Sequence, residues 1–136
     1  MFFSRLDFTR PTAAPRARGF RLAAIIALPL YLALLIYLSL IPVVPGSAEI
    51  SDKVLHFVAY GGLTALAAAA WPKTRLLILF LILSAAGALL EFAQGALNLG
   101  RMASFQDQIA NMGGIAMALA IWIFLVWIKT TVLKKS

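Results

Sequence analysis

Residues of the kinds that carry out chemistry fall in three short groups of this otherwise apolar chain. The groups are Asp52, Lys53, His56 and Tyr60; Glu91 and Gln94; and Arg101, Ser104, Asp107 and Asn111. His56 is the only histidine of the chain. Because ionisable groups at membrane depth are costly, such a cluster is read by default as a functional site whose partners must be named.

Two kinds of role are open to these residues. His56, Glu91 and Asp107 are the candidate catalytic residues, since imidazole and carboxyl groups act as general bases and acids. The candidate substrate-binding residues are Lys53, Arg101, Asp52, Tyr60, Gln94, Ser104 and Asn111. An arginine at position 101 is suited to bind a phosphate bidentately, and Lys53 to act as a point charge. Asp52 and Asp107 are expected to hold these two cations in place.

The composition identifies the environment that surrounds these residues. Of the 136 residues, 62% are hydrophobic and 12% are charged, whereas a soluble domain has roughly 45–50% apolar and about 25% charged residues. Lipid is therefore the expected solvent. The absence of cysteine excludes disulfides and thiol catalysis. The net charge of +7 does not indicate nucleic-acid binding, because the basic residues cluster at the ends of apolar runs.

Four apolar runs predict an all-α, polytopic membrane protein. The expected helices span about 22–41, 52–71, 76–97 and 105–128, between basic tails at 1–21 and 129–136. Each run is about the 20 residues that cross a bilayer core. A cleaved signal peptide, with Gly46-Ser47-Ala48 as its cleavage site, is the minor alternative for the first run. Helix 2 is rich in alanine and glycine, which predicts a central position with neighbours packed closely against it.

The helix starts have recognisable signals. Ser51 is the predicted N-cap of helix 2, with Asp52 in its first turn. Ser104 and Asp107 resemble a capping box at the start of helix 4.

The distribution of basic residues predicts the orientation in the membrane. An even number of spans puts both termini on one side, and that side receives ten of the basic residues against two on the other. Basic segments stay in the cytoplasm, so both termini are predicted to be cytoplasmic. All three polar groups then lie at the outer ends of the helices.

Helical spacing places the polar residues on single faces. Asp52, His56 and Tyr60 are spaced i, i+4 and i+8, and residues at this spacing share a helix face. The predicted helix ends put His56 roughly 6 Å, and Glu91 and Asn111 roughly 9 Å, below the outer surface. Because charge facing lipid is expensive, the faces are expected to turn toward one another and to form a small polar cavity.

Structural roles compete with functional ones for most of these residues. Asp52 and Asp107 are also suited to stabilise the helix dipole. His56, Gln94 and Asn111 are also suited to form hydrogen bonds between helices. Tyr60 is compatible with packing and Arg101 with an ordinary loop. Glu91 is hardest to explain in this way, because it is deep and has no cation near it in the sequence.

The three groups resemble the motifs of the VanZ-like family of small bacterial membrane proteins. Residues 51–60 are similar to the family's D-K-x-x-H-F-x-x-Y segment, residues 91–94 to its E-x-x-Q, and residues 101–114 to its R-x-x-S-x-x-D-x-x-x-N-x-x-G. The resemblance covers roughly residues 25–128. It implies four helices in a bacterial inner membrane and a link to the cell envelope and to teicoplanin resistance, without identifying a reaction.

Four functions compete at this stage. The first is binding or modification of an anionic envelope lipid or lipid-linked headgroup, which the outward-facing helix N-termini favour. The second is a metal site of His56, Glu91, Asp52 and Asp107, although no dense ligand motif supports it and no cofactor is predicted. The third is a non-enzymatic accessory protein that binds a membrane partner. The fourth, an ion relay, is opposed by the absence of ionisable residues in the inner half of any span.

Overall fold

The computed structural model describes residues 18–41, 49–97 and 104–131. Its regular elements are four α-helices: α1 (Arg18–Leu40), α2 (Glu49–Ala70), α3 (Leu76–Ala96) and α4 (Phe105–Thr131). Each helix contains a stretch long and apolar enough to cross a membrane. The predicted all-α, four-span fold is therefore confirmed. Arg101, one of the candidate ligands, lies outside the described residues.

The observed helix ends correct two details. Helix α2 begins at Glu49, two residues before Ser51, so Ser51 lies within the helix and the prediction that it is the N-cap is wrong. The same shift places His56 seven residues, or about 10 Å, from the start of α2. At the other end of the bundle, α1 begins at Arg18, so the last part of the predicted basic tail is helical.

Helix α2 occupies the centre of the bundle. It packs against each of the other three helices, and its most extensive contact is with α4. In its spanning segment 44% of the residues are buried, against 22% or less in the other helices. The residues Ala67 to Ala70 are all buried at its C-terminal end. Since small side chains allow helix backbones to approach closely in lipid, the predicted central position follows from this composition and is confirmed.

Helices α2 and α4 cross closely at Gly61 and Gly114. A Cβ atom added at Gly114 would overlap the backbone carbonyl of Phe57, whereas one added at Gly61 would make ordinary contact, 3.5 Å from the carbonyl oxygen of Gly114. Backbone atoms cannot move aside as a flexible side chain can. Gly114 is therefore the position at which α4 tolerates no side chain.

Contacts at the two ends of the bundle define the direction of each helix. At one end, the Arg21 side chain of α1 donates from Nε to the carbonyl oxygen of Ala70 in α2, at 3.1 Å. At the other end, Gln94 of α3 donates from Nε2 to the carbonyl oxygen of Ser39 in α1, at 2.7 Å. The helices thus alternate in direction. The start of α1 and the end of α4 lie at the same end of the bundle.

The Gly114→Ala variant is expected to be less stable than the wild type by about 1–3 kcal/mol, because overpacking forces α2 and α4 apart. Gly61→Ala, on the facing helix, is the matched control and should keep wild-type stability. Thermal unfolding of the purified protein in mild detergent, followed by circular dichroism, measures both. Equal stability of the two variants would contradict the close crossing at Gly114.

The orientation is testable by labelling, because the chain contains no cysteine. A cysteine in Ser47→Cys, between α1 and α2, should react with a membrane-impermeant maleimide in intact bacterial cells. A cysteine in Ser136→Cys should react only after the cells are permeabilised. The reverse pattern would overturn the orientation inferred from the basic residues.

Candidate functional site

Three helices contribute to one buried polar cluster near the end at which α2 and α4 begin. The Nδ1 atom of His56 lies 3.0 Å from Oδ1 of Asn111 and 3.5 Å from Oε1 of Glu91. His56 is 8%, Glu91 6% and Asn111 1% exposed. The predicted meeting of the polar helix faces is confirmed for these residues, which come from α2, α3 and α4. We refer to His56, Glu91 and Asn111 as the central triad.

A chain of hydrogen bonds orients the side chains that surround His56. The carbonyl oxygen of Ser84 accepts a hydrogen bond from Nε2 of Gln108, at 3.0 Å. The oxygen atom of the same side-chain amide, Oε1 of Gln108, lies 3.5 Å from the donor Nδ2 of Asn111. Asn111 therefore presents its oxygen to His56. Because an amide oxygen only accepts hydrogen bonds, Nδ1 of His56 must carry the proton, and in the neutral ring Nε2 then has a free lone pair.

Glu91 is incompletely satisfied. Its Oε2 atom accepts a hydrogen bond from the backbone N–H of Ser104, at 3.3 Å. Its Oε1 atom is buried and has no hydrogen-bond partner within the described part of the chain. Nδ1 of His56 lies 3.5 Å from this oxygen. Buried polar groups are normally hydrogen-bonded, so this oxygen requires an explanation beyond packing.

The two aspartates lie at the edge of the cluster. Asp52 and Asp107 are partly buried, and one oxygen of each lies within 4.8 Å of the other and of a ring nitrogen of His56. Ser104 caps α4 through a hydrogen bond from the backbone N–H of Asp107 to Oγ, at 3.3 Å. This confirms the Ser104 half of the predicted capping box, whereas the backbone N–H of Ser104 donates to Glu91 and not to Asp107. The Ser104 cap fixes Asp107 in the first turn, on the same side as Asn111.

Of the two predicted cations, only Lys53 belongs to the part of the chain that the structure describes. Lys53 is partly buried and forms no ion pair with another residue in the described ranges. Arg101 falls in the undescribed stretch 98–103. The expectation that an aspartate holds Lys53 is therefore wrong among the described residues, whereas the same expectation for Arg101 stays a prediction. Asp52 does make a polar or electrostatic interaction of its own.

Gln94 and Tyr60 have contacts that hold the helices in position. Gln94 is 2% exposed, and its amide group donates to the backbone of Ser39 in α1. Tyr60 is 3% exposed and packs within the apolar core beside Leu63 and Ile115. For both residues the geometry favours the structural role that sequence reasoning weighed against substrate binding.

Sequence reasoning overlooked two residues that build the site. Gln108 orients Asn111, and its position three residues earlier on the same helix face was the available signal. Gly87 of α3 makes room for the amide chain, since an added Cβ would lie 3.0 Å from Oε1 of Gln108 and 3.2 Å from Nδ2 of Asn111. The spacing of Gly87 four residues before Glu91 placed it on the polar face of α3.

Comparisons with known proteins identify no relative of this chain. No family model, no curated protein and no solved structure matches the chain. The likeness to the VanZ-like family thus stays a prediction that depends on the three sequence motifs, and the function must be argued from the central triad and its surroundings.

Proposed function

We propose that this protein binds, and acts on, the anionic headgroup of an envelope lipid or lipid-linked precursor at the end of the bundle formed by the starts of α2 and α4. The observation that carries the proposal is the buried pair of His56 and Glu91, with Nδ1 and Oε1 3.5 Å apart. A bilayer protein does not need a carboxylate at this depth to fold, and such groups commonly mark substrate pathways.

The arrangement of the triad suits a reactive imidazole. Asn111 and Glu91 both face Nδ1, so they hold the ring in one tautomer and would stabilise a positive charge on it. A base oriented by a third group is the general pattern of activated side chains in enzymes. The free lone pair of Nε2 is then available to a proton or to another Lewis acid.

The partly exposed residues at the edge of the cluster suit a headgroup that approaches along the membrane surface. Asp52, Lys53 and Asp107 combine partial exposure with proximity to the triad or to its helices. With the predicted orientation, this edge faces the outer leaflet, where cell-wall precursors and the lipids of the envelope are exposed. This placement agrees with the resemblance to the VanZ-like family and its link to teicoplanin tolerance in a bacterial inner membrane.

An accessory role is the second candidate, and a specific observation favours it. The hydrogen bonds from Gln94 to Ser39 and from Gln108 to Ser84 join different helices. In this alternative, the polar cluster secures helix packing, and the exposed apolar faces of the helices bind another membrane protein. The two candidates differ in what the charge of Glu91 does for stability.

A comparison of thermal stability tests whether the charge of Glu91 serves function or helix packing. In metal-free buffer, Glu91→Gln should raise the thermal unfolding midpoint, because it removes a buried charge near two other carboxylates while it keeps the hydrogen bond from Ser104. Gln94→Leu, which removes the hydrogen bond from α3 to α1, should lower the free energy of unfolding by about 0.6–1.7 kcal/mol. If Glu91→Gln is the more damaging change, the accessory role is favoured and the functional one is contradicted.

Lipid retention tests the headgroup contact directly. Native mass spectrometry of the wild type with added phosphatidylglycerol should show a bound lipid that phosphatidylcholine does not replace. Arg101→Ala should weaken this binding at least about tenfold, since a hydrogen bond between charged groups contributes about 1.5–3 kcal/mol. Arg75→Ala, which removes the same charge between α2 and α3 at the opposite end, is the matched control.

His56→Ala belongs in the same experiment, with helicity checked by circular dichroism. If folded Arg101→Ala protein retains phosphatidylglycerol as the wild type does, the central contact of the headgroup proposal is wrong. If neither the wild type nor any variant binds phosphatidylglycerol in preference to phosphatidylcholine, the accessory role is supported.

A further inference from the structure

The outer edge of the cluster brings three metal-binding side chains together. One ligand atom each of Asp52, His56 and Asp107 lies within 4.8 Å of the other two. Nitrogen and oxygen ligands of zinc lie about 2.0–2.2 Å from the ion, so two ligands of a tetrahedral site are roughly 3.4 Å apart. Side-chain movements of about 1 Å would therefore bring all three atoms onto one cation.

The tautomer of His56 fits this role. The hydrogen-bond chain from Ser84 through Gln108 and Asn111 places the proton on Nδ1. Metal-binding histidines almost always donate one ring N–H to a carboxylate or an amide oxygen while the other nitrogen binds the ion. Asn111 and Glu91 are acceptors of these two kinds, and both face Nδ1. These contacts leave Nε2 as the ring nitrogen that is free to bind an ion together with Asp52 and Asp107.

The charge of the cluster supplies an independent argument. Glu91 is 6% exposed, and its Oε1 atom is buried without a hydrogen-bond partner among the described residues. This oxygen lies 3.5 Å from Nδ1 of His56, and Asp52 and Asp107 each place a carboxylate oxygen within 4.8 Å of a ring nitrogen of the same histidine. Three carboxyl groups thus surround a single imidazole, and a buried oxygen without a hydrogen-bond partner is unfavourable. A divalent cation beside His56 would offset the negative charge and attract the unpaired oxygen through the polarised Nδ1–H.

We propose that Asp52, His56 and Asp107 bind one divalent cation of the zinc or manganese type, with Asn111 and Glu91 orienting the histidine. Imidazole favours transition metals, and carboxylates broaden the set to manganese. Three protein ligands leave at least one coordination position open, as in catalytic zinc sites.

The cation would explain how an anionic headgroup binds at this site. It would let a phosphate group bind beside three carboxylates that otherwise repel it, and His56 would then act as a ligand rather than as a base. This role of the cation rests on the proposed function, whereas its binding rests only on the ligand geometry.

Metal binding is tested on the full chain, purified in mild detergent with a histidine-free affinity tag and stripped with a chelator. Isothermal titration with zinc chloride and with manganese chloride should show one cation per chain for at least one of the two metals. Asp52→Asn and Asp107→Asn should each weaken binding by more than tenfold. Asp7→Asn, the same chemical change in the N-terminal tail, should leave it unaltered.

The role of Asn111 in orienting His56 is tested by the metal affinity of two further variants. Asn111→Leu removes no ligand atom, so it should still bind one cation, but with an affinity lowered about 10- to 100-fold, as is typical for residues that orient a ligand. Asn111→Asp restores an oxygen acceptor and should recover most of the affinity. Circular dichroism confirms that each variant is folded before it is titrated.

Three outcomes are distinguishable. Binding of one cation that is weakened by Asp52→Asn and Asp107→Asn, but not by Asp7→Asn, supports the site. Failure of the folded wild type to bind zinc or manganese, or equal binding by all the aspartate variants, overturns it. Phosphatidylglycerol retention, measured on the stripped and the metal-loaded protein, separates the proposals: retention without metal binding contradicts only the cation, and metal binding without retention contradicts only the headgroup function.

Discussion

The structure depends on the rule that a polar group buried among membrane helices must find its partner within the protein, because the surrounding lipid offers none. The side-chain amide of Gln108 follows this rule. It donates to the backbone carbonyl of Ser84 and orients Asn111, which in turn orients His56. A group without chemistry of its own thus determines which nitrogen of the histidine carries the proton.

That chain forms only because the helices approach closely. Gly87 leaves space for the amides of Gln108 and Asn111, and Gly114 lets α4 approach the carbonyl of Phe57 in α2. Phe57 is the residue next to His56, so the close crossing and the His56–Asn111 contact involve the same stretch of α2. Packing and chemistry are therefore coupled: a side chain at Gly114 would be expected to disturb the triad as well as the bundle.

The helices and the burial of the triad could be predicted from the sequence, because both follow from patterns within single segments. Four apolar runs of membrane length lead to four helices, and the spacing of Asp52, His56 and Tyr60 defines one face of α2. Contacts between a side chain and a distant backbone group leave no such pattern. The bond from Gln94 to Ser39 connects residues 55 positions apart, and nothing in either segment indicates it.

Helix ends were the other weak point of prediction. Ser51 and Asp52 have the chemistry of a helix start, yet α2 begins at Glu49. The three extra residues increase the distance of His56 from the start of the helix by about 4–5 Å, to about 10 Å, and bring it nearer to the depth of Asn111 in α4. The polar residues consequently meet more nearly side by side than the sequence suggested, and the orienting contacts become possible.

The polar residues in and around the cluster are of two kinds. Gln94, Gln108 and Tyr60 use their polar groups or their volume to join helices. Glu91 and the two aspartates instead place three carboxyl groups close to His56. Residues of the first kind explain how the bundle is held, and residues of the second kind are the ones that fold stability alone does not explain.

The measurement that tests this account most directly is nitrogen NMR of His56 in protein labelled with ¹⁵N-histidine. The chain has a single histidine, so the spectrum reports on this one ring without assignment if the affinity tag contains none. At mildly alkaline pH the account predicts a protonated Nδ1 and an unprotonated Nε2, with the preference lost in Asn111→Leu. A spectrum in which Nε2 carries the proton, or one that Asn111→Leu leaves unchanged, would contradict it.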